Sequence, residues 1–217
     1  MASESTPLYV RLLAGLVRPF PNFDFGFIKP VRHKATALLR LRPGDSVLDV
    51  GCGSGGAFPF LVQAVGHAGR VVGVEISPVS AAHARHRVAA NGWRNVEVVQ
   101  ASAQQACLPG MYDGLLMFAA PDVYGSEAAL ARLTPHLREG ARVVFFGSKV
   151  SGRRFGWVLN SALHFALTRL SLPTTPGMES EPWHLAAERL QEFVVEEYFY
   201  GWMFIAAGTF HAIPHDA

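Results

Sequence analysis

The sequence predicts an α/β fold: a mostly parallel, doubly wound sheet with helices on both faces. Three observations carry this. Five short apolar runs alternate with helix-patterned segments between residues 46 and 148. A glycine-rich stretch follows the first of those runs directly, in "VLDVGCGSGG" over 47–56. Two further apolar runs in the tail, 192–210, meet around Tyr200-Gly201 with no helix between them. Apolar strands separated by helices require a parallel sheet covered on both faces, whereas a helix-free connection suits an antiparallel hairpin at a sheet edge.

Composition sets the frame. With 217 residues, 50% hydrophobic and 17% charged, the chain is long enough for one domain with its own core, and it is read as a single unit over 1–217. Its parts are an N-terminal helical cap (1–42), a ligand-binding core (43–150), an insertion or cap (151–182), and a C-terminal helix and hairpin (183–217). No apolar run approaches the roughly 18 residues of a membrane span. The opening "MASESTPLYV" lacks the pattern of a secretory signal. Two cysteines, Cys52 and Cys107, form no CxxC pair, so neither a disulfide framework nor a zinc site is expected and a cytoplasmic location is. A net charge of +2 gives no reason to expect nucleic acid binding. Residues 1–42, however, hold seven basic side chains against Glu4 and Asp24. That reads as a solvated helix face, or as a basic patch for peripheral contact with an anionic membrane.

The elements follow in order. Residues 8–18 place apolar side chains at helical spacing, stopped by Pro19 and Pro21. The aromatic, breaker-rich 20–30 reads as a loop, and 31–41 as a helix ended by "RPGD". Strands are expected at 46–50, 70–76, 96–100, 112–119 and 141–148, and helices at 56–65, 78–91 and 125–138. In the 56–65 helix, Phe58, Leu61, Val62 and Val65 point inward. The stretch 151–182 fits the alternation poorly. It follows the fifth strand, at the end of the sheet where open parallel sheets bind ligands, and reads as a helix and loop capping a pocket.

The glycines explain themselves chemically. After a strand they permit a tight turn and let backbone approach a ligand, while the next helix offers free N–H groups. Gly51, Gly53 and Gly56 fit G-x-G-x-x-G, a pattern shared with dinucleotide sites. Asp49, two residues before Gly51, discriminates: an acid there can face an ammonium and would repel a pyrophosphate. The loop is thus suited to a zwitterion. Glu75 ends the second strand in "VVGVEISP", where a carboxylate can accept hydrogen bonds from both ribose hydroxyls.

"VLDVGCGSGG" together with "VVGVEISP" resembles the class I S-adenosylmethionine-dependent methyltransferases, in motif order over about residues 35–148. The resemblance implies a Rossmann-like, seven-stranded sheet whose last strand is antiparallel, with S-adenosyl-L-methionine as cofactor. Carried over by position, Gly51, Cys52, Gly53 and Gly55 would bound the methionine part and Asp49 would lie near its amino group. Glu75 would hold the ribose and Ile76 would flank the adenine. In "QASAQQA", Ser102 stands where the family often has an acid that contacts the adenine amine, with Ala103 beside it. Phe118 and Ala119, ending the fourth strand, would line the methyl-transfer pocket.

Methyl transfer from a sulfonium is an in-line displacement that mainly needs alignment and exclusion of water, and the family has no fixed catalytic residue. Candidate bases are His33, Tyr124, His164 and His184. His83 and His86 read as solvated, His136 as a helix-end residue, and His211 and His215 as terminal. Asp122 alone makes no metal site. Phe20, Phe23, Phe25 and Phe27, with Trp157, Phe165 and Trp183, suggest a small, apolar or lipid-like acceptor. The layout loosely resembles bacterial methyltransferases of phospholipid amines and quinone-type lipids. Two alternatives remain open: a binding or regulatory protein on a degenerate methyltransferase fold, which Ser102 would favour, and an NAD-dependent oxidoreductase, against which Asp49 and the tail argue. Oligomeric state is not expressed in the sequence.

Overall fold

A computed structural model describes residues 28–149 and 181–212. Helix α1 (Ile28–Leu38) leads into β1 (Ser46–Val50), α2 (Phe58–Val65), β2 (Arg70–Glu75), α3 (Pro78–Ala90), β3 (Val96–Gln100) and β4 (Tyr112–Phe118). Then come α4 (Pro121–Tyr124), α5 (Glu127–Leu133), β5 (Leu137–Ser148), α6 (His184–Ala187), β6 (Leu190–Tyr198) and β7 (Met203–Phe210). The expected helices at 8–18 and in 151–182 lie outside the described residues.

All seven strands form one sheet in the order β3-β2-β1-β4-β5-β7-β6. The first five strands run parallel, and β7 is antiparallel to both β5 and β6. The tail is the expected hairpin, but its second strand, not its first, docks on β5. Its tip holds Phe199 and Tyr200 with φ of 48° and 62°, the left-handed turn that keeps a tight hairpin in register.

The strands alternate between two apolar layers. Leu48, Val72, Leu115, Phe145 and Phe204 pack on one face, under α4, α5 and α6. Val47, Val71, Leu116, Val144 and Ile205 pack on the other, against α1, α2 and Ala84 of α3. Local chemistry sets the helix ends. Ser77 caps α3 by accepting from the Ser80 amide at 3.3 Å, and Ser126 caps α5 by accepting from the Ala129 amide at 3.3 Å.

Three boundaries differ from the sequence reading. Helix α1 already includes Ile28, ahead of the expected start at 31, and accommodates Pro30. It stops where Arg40 turns left-handed, φ 52°. The segment read as one helix over 125–138 is the shorter α5 and a 3-10 turn over Thr134–His136, and the separate α4 precedes it with Gly125 at the junction. Strand β5 starts early, at Leu137, with a register shift opposite Tyr112 and Gly114 of β4.

The order reverses between β1 and β4, so the loops after their C-terminal ends diverge to opposite faces and open a crevice there. Val50, Glu75, Gln100, Phe118 and Ser148 all end strands on that edge.

Candidate functional site

The loop after β1 fills this crevice. The Gly51 and Cys52 amides both donate to the Val74 carbonyl, at 2.8 and 3.1 Å, which pins the turn to β2. Gly51 has φ +73°, and a β-carbon there would meet that of Ala120 at 2.7 Å. Both conformation and space therefore require glycine. A β-carbon on Gly53 would meet nothing within 4 Å, so this part of the loop borders open space. Cys52 turns its side chain inward, and burial pushes its thiol well above the usual range. It is a packing residue whose backbone, not sulfur, is presented.

Glu75 is 9% exposed and already works on the loop. Its Oε2 accepts from the Gly53 amide at 2.9 Å and its Oε1 from the Ser77 amide at 2.8 Å. One carboxylate thus joins the glycine turn to the start of α3. Each oxygen keeps further lone-pair capacity for a ligand hydroxyl.

Asp49 is 1% exposed, and neither of its carboxylate oxygens has a hydrogen-bond partner. Burial raises its pKa to about 7; the positive charge of Arg32 acts against this and the negative charge of Glu75 adds to it. An unpaired buried acid costs several kcal/mol unless something satisfies it. A ligand cation seated beside the loop would do so.

An apolar wall completes the site. Phe118 stacks on Phe146 with ring centroids 4.4 Å apart. Next to it, Ala119 holds φ 58°, a strained value for a residue with a side chain, fixed by its amide donating to the Phe146 carbonyl at 2.8 Å. Ile76, immediately after Glu75, is 63% exposed. The turn after β3 lies alongside: the Ala101 amide donates to the Glu75 carbonyl at 3.1 Å, Ser102 is half-buried and Ala103 buried.

The structure therefore gathers Asp49, Gly51, Cys52, Gly53, Gly55, Glu75, Ile76, Ser102, Ala103 and Phe118 along one edge of the sheet. The candidate bases are not gathered. His33 is exposed on α1, edge-on to Phe60 at 5.4 Å. His184 is exposed at the start of α6, on the opposite face. Tyr124 is fully buried between Phe145 and Phe204; its hydroxyl has no partner, and burial raises its pKa. His164 lies outside the described residues. Among the described residues no three His, Cys, Asp or Glu side chains cluster as metal ligands.

Sequence reasoning missed Arg32. It reads as one of several surface cations, yet it is buried beside the glycine loop, with its guanidinium carbon 4.9 Å from the centroid of the Phe118 ring. The signal was available: Ile28, Val31, Arg32, Ala35 and Leu39 share one buried stripe once the helix starts at Ile28.

A buried acid without a partner, an open glycine turn, a strand-end carboxylate and an exposed apolar shelf fit a ligand with an ammonium, a sugar and an aromatic base. Residues 47–140 match a family model described as a methyltransferase domain. The chain is 29% identical over 121 residues to aklanonic acid methyltransferase DauC of Streptomyces sp. (strain C5), covering 55% of each. It is 38% identical over 121 residues to a protein-L-isoaspartate O-methyltransferase of Ignicoccus hospitalis, covering 55% of this chain and 53% of that one. The chain thus spans about half the length of these curated relatives. A solved structure of a SAM dependent methyltransferase from Aquifex aeolicus shares the fold at a TM-score of 0.56 and 19% identity, covering 95% of this chain and 100% of that one. Sheet order, loop chemistry and these similarities converge on one statement: residues 47–140 are similar to a methyltransferase domain, carried on the fold of a SAM dependent methyltransferase.

Proposed function

We propose that the chain transfers a methyl group from S-adenosylmethionine to a small, apolar or lipid-like acceptor by in-line displacement. The observation that carries the cofactor half is Asp49: a buried carboxylate without a partner, beside a glycine turn that Glu75 holds in place. Asp49 receives the ammonium of the cofactor. The backbone of Gly51, Cys52, Gly53 and Gly55 follows its aliphatic chain. Glu75 accepts from the ribose hydroxyls, Ile76 flanks the adenine, and Ser102 and Ala103 border its amine edge. When bound, the cofactor supplies a methyl on a sulfonium whose leaving group is a neutral thioether.

With so good a leaving group, the remaining work is alignment and dryness. Phe118, fixed by Phe146, offers a flat apolar wall that excludes water from the acceptor side. The Ala119 amide, donating to the Phe146 carbonyl at 2.8 Å, ties the end of β4 to β5 next to that wall. No base is assigned. The two relatives named above differ in acceptor, a small acid in one and a protein residue in the other. The acceptor reading therefore rests on this chain's own aromatic side chains, with the aklanonic acid enzyme as the supporting example. The basic residues of 1–42 add peripheral membrane contact to the reading. No helix among the described residues is long and apolar enough to cross a membrane.

The test is to incubate the purified protein with methyl-labelled cofactor and a total lipid and small-molecule extract. Label is expected in the organic-soluble fraction. Label only in protein, or in no fraction, contradicts the acceptor class.

A further inference from the structure

We infer that Arg132 is the positioning residue for the turn that borders the base of the cofactor, holding that turn from α5 without touching the ligand. This rests on the cofactor reading above. Residues 101–111 join β3 to β4 and contain neither helix nor strand. A connection between parallel strands usually runs through a helix, which satisfies its own backbone. Here the carbonyls need other donors.

Side chains supply them. The Gln105 amide closes the turn by donating to the Ser102 carbonyl at 3.1 Å. Arg132 takes hold at the end of that turn: its Nε and Nη2 both donate to the Ala106 carbonyl, at 3.1 and 2.9 Å. Ala106 is fully buried, so this acceptor would otherwise be stranded. The far half of the connection has its own donors. Arg70 and the Tyr112 hydroxyl each donate to the Pro109 carbonyl at 3.1 Å, and Arg138 donates to that of Met111 at 3.2 Å. On the near half, Gln104 also donates to the Ser126 hydroxyl, but at 3.5 Å that bond is long and weak.

Arg132 has a firm footing. Ser126 caps α5, and Ala129, Leu130 and Leu133 bury it. The acid of that helix, Glu127, pairs with Arg189, so it does not draw the guanidinium away. The other end of the turn starts on the site itself, where the Ala101 amide donates to the Glu75 carbonyl. The order β3-β2-β1 sets the direction: a ligand with its amino-acid end on the β1 loop and its sugar on Glu75 runs on toward the turn after β3. Two charge-assisted bonds to one carbonyl, outside the pocket, thus fix where Ser102 and Ala103 meet the base.

The discriminating probes are S-adenosylhomocysteine and S-ribosylhomocysteine, which carries a hydroxyl in place of the base. Dissociation constants are measured by calorimetry, the weaker ligand by competition, for the wild type, Arg132→Ala and Arg132→Lys. The wild type is expected to prefer S-adenosylhomocysteine by about a hundredfold or more. Arg132→Ala should cut that preference by about tenfold and keep its affinity for S-ribosylhomocysteine within about threefold of wild type. Arg132→Lys, with one amine in place of the fork, should fall between. Hydrogen exchange in Arg132→Ala should speed up over 101–107 and stay unchanged over 51–56; unchanged exchange over 101–107 contradicts the inference. Wild-type preference in Arg132→Ala overturns the assignment, and if that variant does not fold, the same ratio in Arg132→Lys decides. A variant that weakens both ligands by one factor, as a merely structural residue would, also overturns it. A wild type that binds the two ligands equally overturns the assignment while leaving the amino-acid and sugar contacts standing. A wild type that binds neither overturns the cofactor reading itself.

Discussion

Asp49 carries a charge only at a cost in the free protein. Its carboxyl titrates at about 7, against an ordinary value of 3.8. Between those limits the folded chain holds a proton that the unfolded chain has released. Unfolded minus folded proton number is therefore negative, and stability falls as pH rises from about 4 to about 7, with the loss complete above that. Asp49→Asn removes this term. The variant's free protein is expected to be more stable than wild type at pH 8, by a few kcal/mol at most at about 1.4 kcal/mol per pK unit, with the advantage fading toward pH 5. Urea unfolding across that range checks it; a wild type whose stability relative to the variant does not change with pH contradicts it. Binding should show the opposite sign. An ammonium ligand needs the ionised acid, so affinity for S-adenosylhomocysteine should rise from pH 6 to 8 with proton release at the low end. Calorimetry in two buffers of different ionisation enthalpy reads this release, which should vanish in Asp49→Asn. Glu75 makes a different prediction. Glu75→Ala leaves the Gly53 and Ser77 amides without their acceptor and should weaken S-adenosylhomocysteine about ten- to hundredfold. An unchanged dissociation constant would remove the ribose role.

At the scale of elements, the site depends on a turn that only glycine can make. Gly51→Ala places a β-carbon 2.7 Å from that of Ala120 at a left-handed φ, so the β1 loop and the end of β4 must separate. The expected loss is about 1–3 kcal/mol in stability, together with weaker cofactor binding. A thermal melt identical to wild type would show that the turn tolerates the group. The N-terminal segment is the other element with a consequence. Its basic residues and helical spacing lead to the expectation that deleting residues 1–19 lowers binding to anionic vesicles at low salt. Equal binding by the shortened protein would end the membrane reading. Strands β1 and β3 were legible to the residue, because each is a short valine-rich run that follows a turn signal, Pro43-Gly44-Asp45 before β1 and Asn91-Gly92 before β3. The start of α1 was not, because an aromatic, proline-containing stretch looks like loop until its first turn is seen packed, with Ile28 buried.

For the whole molecule, the sheet and site together predict a ligand-dependent stability. S-adenosylhomocysteine at 100 times its dissociation constant adds about 2.7 kcal/mol. For a chain of this size that raises Tm by roughly 5–10 °C. A shift with NAD in its place would point to the oxidoreductase, and no shift with either to a degenerate fold. Much of this molecule could be read without coordinates. The glycine turn and the acid before it lie within a few letters of one another, and Glu75 ends the next strand, so local patterns at two strand ends carry their chemistry. The sequence alone determined the parallel alternation and the hairpin tail, because strand period and turn residues act within a few residues. Tertiary structure alone decided that β7 lies between β5 and β6, that Tyr124 is core, and that Arg32 sits on Gly56 across 24 residues of chain. Those facts come from how distant surfaces share one interior, where packing buries an ordinary cation beside the glycine loop and makes a tempting phenol part of the core.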